Sequence, residues 1–237
     1  MKFEDSNFGQ IVTGVINFQI VAVNPTLAQL NELGVNFNKE PEYISSGDNG
    51  QKKVRLDFWL KPTIKDMGLQ KVVFFLEDIV KISKSGKKQY INSKCESSWA
   101  DSIDTLPDWM DKKGVRECKS GEDLLMNFLK KYANVSSLEF DNFDSLFNNN
   151  VTEIRELIKA KINNQVQLLC GEKNGYQSIY NKFCMSGGNT KMTYWEKHLE
   201  KEAANITIDY QGTTAIKIWS NAVPTAAQEE EAPSLFS

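Results

Sequence analysis

Histidine is close to absent from this chain: His198 is the single one among 237 residues. It stands in a charged, helix-patterned segment (YWEKHLEKE), where a surface histidine is the ordinary reading. The four cysteines (Cys95, Cys118, Cys170 and Cys184) form no CxxC pair, so close ligands for a zinc site cannot be assembled. A chain of this length does not need disulfide staples, and the expected setting is reducing and cytoplasmic. No apolar run approaches about 18 residues, and the N-terminal stretch is polar, so neither a membrane span nor a secretory leader is expected. A GxxxxGK[ST] phosphate loop and a GxSxG nucleophile elbow are both missing. Glu77 and Asp78 are adjacent on a strand pattern and so face opposite ways, while Asp141 and Asp144 fall in an Asn-rich stretch. Neither pair suits the metal site of a nuclease. The expectation is a protein that is not an enzyme and carries neither cofactor nor metal.

What the chain does have is unevenly placed charge. The net charge is only −3, yet residues 52–99 hold 11 basic and 5 acidic side chains, and the remainder holds 17 and 26. A basic surface on an otherwise acidic protein is a candidate polyanion site.

The strand signals come early. Residues 15–23 (VINFQIVAV) are β-branched and end at Asn24-Pro25. Thr26 is placed to cap a short helix over 26–33, with Gly34 beyond its end. Residues 52–61 (KKVRLDFWLK) alternate cleanly, with Val54, Leu56, Phe58 and Leu60 on one face and Lys53, Arg55, Asp57, Trp59 and Lys61 on the other. A third strand is expected over 71–76, and a hairpin over 80–92 turning at Ser85-Gly86. The middle changes character. Residues 104–119 read as turns with short helical pieces, and 120–132 (SGEDLLMNFLKKY) as a helix capped by Ser120 with Asp123 at capping-box spacing. Its buried stripe would be Leu124, Leu125, Phe128 and Leu129. Residues 134–150 read as a loop and 152–162 as another short helix. Strands resume over 165–170 and 176–185, a helix is expected over 191–202, and a strand over 213–219. From 221 onward the composition predicts disorder.

The sum is a β-rich α+β chain. It reads as a small barrel over 1–220 with a helical insertion at about 101–160, followed by an acidic tail over 221–237.

The basic and aromatic pattern is the most informative signal for function. On the strand over 53–61, the face opposite the apolar one carries three cations and a tryptophan. Single-stranded nucleic acid asks for this mixture, because cations follow phosphates and aromatic rings stack bases. Trp59 has two placements consistent with the pattern, a stacking platform or a side chain covered by the inserted helices. The hairpin adds Lys81, Lys84, Lys87, Lys88 and Tyr90, followed by Lys94 and Trp99, and the later strands add Tyr176, Tyr180 and Lys182. In the tail, Glu229, Glu230 and Glu231 precede Leu235 and Phe236, a segment suited to docking on a basic-rimmed apolar pocket of a partner or to competing with nucleic acid.

The segments VINFQIVAVNPT, KVRLDFWLKP, VKISKSGKKQYIN with SSWADS, and NNQVQLLCGEKNGYQSIYNKF resemble the OB-fold single-stranded DNA-binding proteins of tailed-phage replication modules. The resemblance implies an OB-like barrel, sequence-independent binding of single-stranded DNA in replication or recombination, and an acidic tail that engages partner proteins. Stacking would fall to Trp59, Tyr90, Tyr176 and Tyr180, and phosphate contact to Lys53, Arg55, Lys61, Lys84, Lys87, Lys88 and Lys182. The chain departs from the bacterial single-stranded DNA-binding proteins at the tail, where Phe236 is penultimate and separated from Pro233. The other reading of the same residues is a β-rich virion or assembly protein whose aromatic strand faces are protein interfaces.

Overall fold

The computed structural model describes residues 12, 14–64, 67–132, 143–159, 166–173, 176–179, 206–208 and 216–218. They form two compact units, each built from separated stretches of chain. One gathers described residues from 1–21, 59–72 and 165–232, and the other from 22–58 and 73–164. Strands β1 (Gly14–Val23), β3 (Lys52–Pro62) and β4 (Gln70–Val80) each contribute to both.

In the first unit, β1 pairs antiparallel with β9 (Val166–Lys173), from Gly14 opposite Cys170 to Phe18 opposite Val166. Strand β10 (Tyr176–Ile179) folds back on β9 as a hairpin. Two short strands, β11 (Ile206–Ile208) and β12 (Ile216–Ile218), pair with each other, and β12 meets β9 at Glu172. Ile16, Phe18, Ile20, Trp59, Leu60, Met67, Val72 and Leu168 are buried here. Alternation along β1 and β9 produces this core, since every second side chain points inward.

The second unit begins at the end of β1. Helix α1 (Leu27–Glu32) is capped as its sequence requires: Thr26 accepts from the Gln29 amide, and the Gln29 side chain accepts from the Thr26 amide. Strand β2 (Ile44–Ser46) pairs with the start of β3, and β8 (Lys119–Ser120) pairs with the end of β4 across a register shift between Glu77 and Val80. A three-stranded sheet has the order β6-β5-β7, from β5 (Lys88–Ile91), β6 (Ser97–Ala100) and β7 (Arg116–Glu117). Helices α2 (Glu122–Tyr132) and α3 (Thr152–Lys159) complete it, with 3-10 turns at Ile103–Thr105 and Phe143–Asn148.

The core of this unit joins Val54, Leu56, Phe58, Phe74 and Leu76 to Leu125, Met126, Phe128 and Leu129 of α2. Phe58, Phe74 and Phe128 form a ring triad with centroids 5.0 to 5.5 Å apart, an edge-favouring arrangement that adds to area burial. A smaller cluster packs Tyr90, Ala100, Leu106 and Met110.

The described architecture is thus β-rich α+β, and every pairing with a defined register is antiparallel. The pairings among the described residues do not close a barrel. No helix among them is long and apolar enough to cross a membrane.

Several local expectations are corrected. Ser120 does not cap α2; it ends β8, and the helix starts at Glu122 after Gly121, whose φ of +82° turns the chain. The buried Glu122 carboxylate accepts from the Lys119 amide at 2.8 Å, which closes this turn from the other side. Strand β3 ends at Pro62, since a strand's end tolerates a missing N–H. Residues 143–148 are not loop: Leu146 and Phe147 are buried in a 3-10 turn. The expected helix over 191–202 and the tail lie outside the described residues.

Candidate nucleic-acid interface

On β3 the apolar face is buried as the alternation requires, but so is part of the opposite face: Asp57 is 2% and Trp59 7% exposed. This corrects the expectation that Trp59 offers a ring to a base. In the first unit the Lys71 ammonium sits 5.4 Å from the Trp59 ring centroid, a cation–π contact over an already buried ring. Asp57 is enclosed by its own unit. Its amide donates to Asn24 Oδ1 at 2.7 Å, its carbonyl accepts from the Asn24 amide at 3.0 Å, and its carboxylate pairs with Arg55 at 3.0 Å. Asn24 is buried at a φ of 44°, and its side-chain amide donates to Arg55 O and Asn149 Oδ1. Arg155 of α3 completes the lock by donating to the carbonyls of Val23 and Asn24, and burial lowers its pKa. Arg55 therefore belongs to a packed network and stacks 5.4 Å from the Tyr43 ring.

Tyr90 is corrected in the same way. It is 5% exposed and forms the small core with Leu106 and Met110, so it presents no free face. Tyr176 is 59% exposed in the first unit. Tyr180 and Lys182 lie outside the described residues, as do Glu229, Glu230, Glu231, Leu235 and Phe236.

The cations are also placed differently from a uniform basic strip. Several of the described cations of the 52–99 segment stand in ion pairs: Lys53 with Glu77 at 2.9 Å, Arg55 with Asp57, Lys81 with Asp123 at 3.0 Å, Lys88 with Glu117 at 2.5 Å and Lys94 with Asp111 at 2.7 Å. Asp111, Glu117 and Asp123 come from the later, acidic part of the chain, so folding brings the two charge blocks together. The Lys53 and Lys88 ammonium groups donate to the Glu77 and Glu117 carboxylates, which holds them above the usual lysine range. The Lys94 ammonium and then the Lys113 amide hold the Asp111 carboxyl below the usual range.

Lys84 and Lys87 are exposed at the tip of the hairpin before β5. The loop is tightly built. Ser83 N donates to Lys87 O at 2.8 Å, Gly86 N to Ser83 O at 3.0 Å, and Lys87 N to Ser83 Oγ at 3.0 Å. Gly86 supplies the φ of +83° that the turn requires. Lys61 is half-buried.

The exposed aromatics are others. Trp99 on β6 is 40% exposed and lies opposite Gln89 of β5, two residues beyond Lys87. Trp109 is 61% and Phe75 of β4 68% exposed. Phe75 was legible in principle: Phe74 and Phe75 are consecutive in an alternating strand, so one of them must face out. Trp109 lies between charges in DWMDKK, a setting that favours exposure.

Cys95, Cys118 and Cys170 are buried. Burial, with Glu122 nearby, pushes the Cys118 thiol up to about 12, which leaves it unreactive. Comparison with known protein families, with curated proteins and with solved structures found no match.

Proposed function

We propose that the chain binds single-stranded DNA without sequence preference, in replication or recombination, on an OB-like barrel. The observation that carries this reading is the exposed Trp99 beside a rigid hairpin whose exposed tip bears Lys84 and Lys87. A ring for a base next to cations for the backbone is the minimal unit of single-strand recognition. Phosphate contacts supply affinity without reading bases, so discrimination between oligonucleotides is small. Lys61 and Tyr176 are candidate contacts within the first unit taken by itself, and the acidic tail serves replication or recombination proteins.

The test is an anisotropy titration of labelled oligo(dT) and mixed-sequence oligonucleotides at two salt concentrations. Affinity should fall with salt at a log–log slope of about −0.7 per phosphate contact, similarly for both sequences, and fall further in Lys84→Glu/Lys87→Glu. Salt-independent affinity, or binding unchanged by that double substitution, contradicts the reading.

One observation favours a protein interface instead. Phe75 and Ile79 share the outer face of β4, and Ile82 follows, with exposures of 68, 47 and 59%. Exposed apolar side chains along a strand suit a protein partner better than a phosphate backbone. Self-association abolished by Phe75→Ser in sedimentation, together with no oligo(dT) binding, would select it.

A further inference from the structure

We propose that Trp99, Lys81 and Asp123 form one nucleotide-docking unit, in which the Asp123 carboxylate occupies the lysine until a backbone phosphate replaces it. This rests on the single-stranded DNA reading above and names a site within it.

Three elements of one unit converge here. Trp99 lies on β6, Lys81 directly follows β4, and Asp123 stands in the first turn of α2. Lys81 Nζ is 5.9 Å from the Trp99 ring centroid, and it donates to both Asp123 oxygens, at 3.1 and 3.0 Å. The ammonium thus lies over the ring of a tryptophan that is 40% exposed, within reach of the phosphate of a nucleotide stacked on the part of the ring that faces solvent. Access is one-sided. The Lys81 side chain is 34% exposed and the Asp123 side chain 14%, so a phosphate reaches the lysine from solvent while the acid lies beneath.

The carboxylate has somewhere to stay when the lysine turns away. Gln89, opposite Trp99 in the strand register, donates Nε2 to Asp123 Oδ2 and to Ser97 Oγ, both at 3.3 Å. The first turn of α2 also favours a negative charge. The released carboxylate keeps a hydrogen-bond donor and a favourable helix end, which lowers the cost of the exchange. Gln89 Oε1 is buried and accepts no hydrogen bond among the described residues.

In this arrangement Asp123 is a competitor of phosphate. Asp123→Asn keeps the size and the contact with Gln89 but frees the lysine. It should raise oligo(dT) affinity about two- to fivefold at low salt, the range of an exposed ion pair, and steepen the log–log salt slope by about 0.7. The gain should vanish in the Lys81→Gln background. Trp99→Leu should weaken binding at least about fivefold and remove the tryptophan fluorescence change that accompanies it.

The experiment uses the full chain, with thermal melting of each variant as the control for folding. Wild-type binding that neither Asp123→Asn nor Trp99→Leu alters, with melting unchanged, overturns the proposed site while leaving DNA binding in place. A gain in Asp123→Asn that persists without Lys81 also overturns it. If Asp123→Asn destabilises the protein, the exposed Trp99→Leu substitution decides alone. A wild-type chain that does not bind oligo(dT) removes the underlying reading and the site with it.

Discussion

Trp59 is 7% exposed, with the Lys71 ammonium 5.4 Å from its ring centroid. A buried indole of this kind is a packing residue, and its removal leaves a large cavity. Trp59→Ala should lower the unfolding free energy by about 3–5 kcal/mol. Phe75→Ala, at a position 68% exposed, should change it by no more than about 0.5 kcal/mol. Urea denaturation of both variants checks the pair, and the reverse ranking would return Trp59 to the surface. Alternation assigns a residue to one face of a strand and says nothing about what covers that face. For Trp59 the covering decides, and it comes from tertiary packing.

At the scale of elements, the turn between β8 and α2 rests on one glycine. A Cβ added to Gly121 would lie 2.0 Å from the Phe75 carbonyl oxygen, and the residue holds a φ of +82°. Gly86 has a similar φ of +83° but open space around the missing Cβ. The two positions separate backbone strain from steric exclusion. Gly86→Ala should cost about 1–2 kcal/mol, the left-handed penalty alone. Gly121→Ala adds a backbone clash that only movement of β4 or α2 can relieve, and should cost about 3 kcal/mol or more. Thermal melting of the two variants tests the difference, and equal losses would contradict it. Most elements were legible because their signals are local: the β-branched run of β1, the Thr26 cap of α1 and the alternation of β3. The start of α2 was not. Ser120 has the chemistry of a cap but is committed to a strand pairing with Glu77, a partner 43 positions earlier in the chain.

At the scale of the molecule, the central quantity is how much of the basic segment remains available to a polyanion. Carboxylates from later in the chain occupy Lys81, Lys88 and Lys94, and Glu77 of the segment itself occupies Lys53. Further acidic charge on the chain therefore acts in the same direction. Residues 228–237 contain three glutamates and no basic residue, so their removal takes the net charge from −3 to 0. A chain ending at Ala227 should bind oligo(dT) more tightly than the full chain at low salt, with the gain shrinking as the Debye length falls from about 30 Å at 0.01 M to about 8 Å at 0.15 M. Equal affinities at low salt would exclude the tail as a competitor and leave its partner-docking role to pull-down experiments.

The amino-acid sequence by itself determined the β-rich α+β character, the boundaries of the strongly periodic elements and the residue types at the candidate surface. These follow from short-range causes: two-residue alternation, β-branching, helix caps and turn residues act within a few positions of one another. Only the tertiary structure decided which aromatic rings face water and which cations are spent on carboxylates. Burial of Trp59 and Tyr90, exposure of Trp99, and the pairing of Lys81 with Asp123 each depend on residues distant in the chain. A linear pattern can place a side chain on a face, but exposure and charge compensation are properties of what packs against that face.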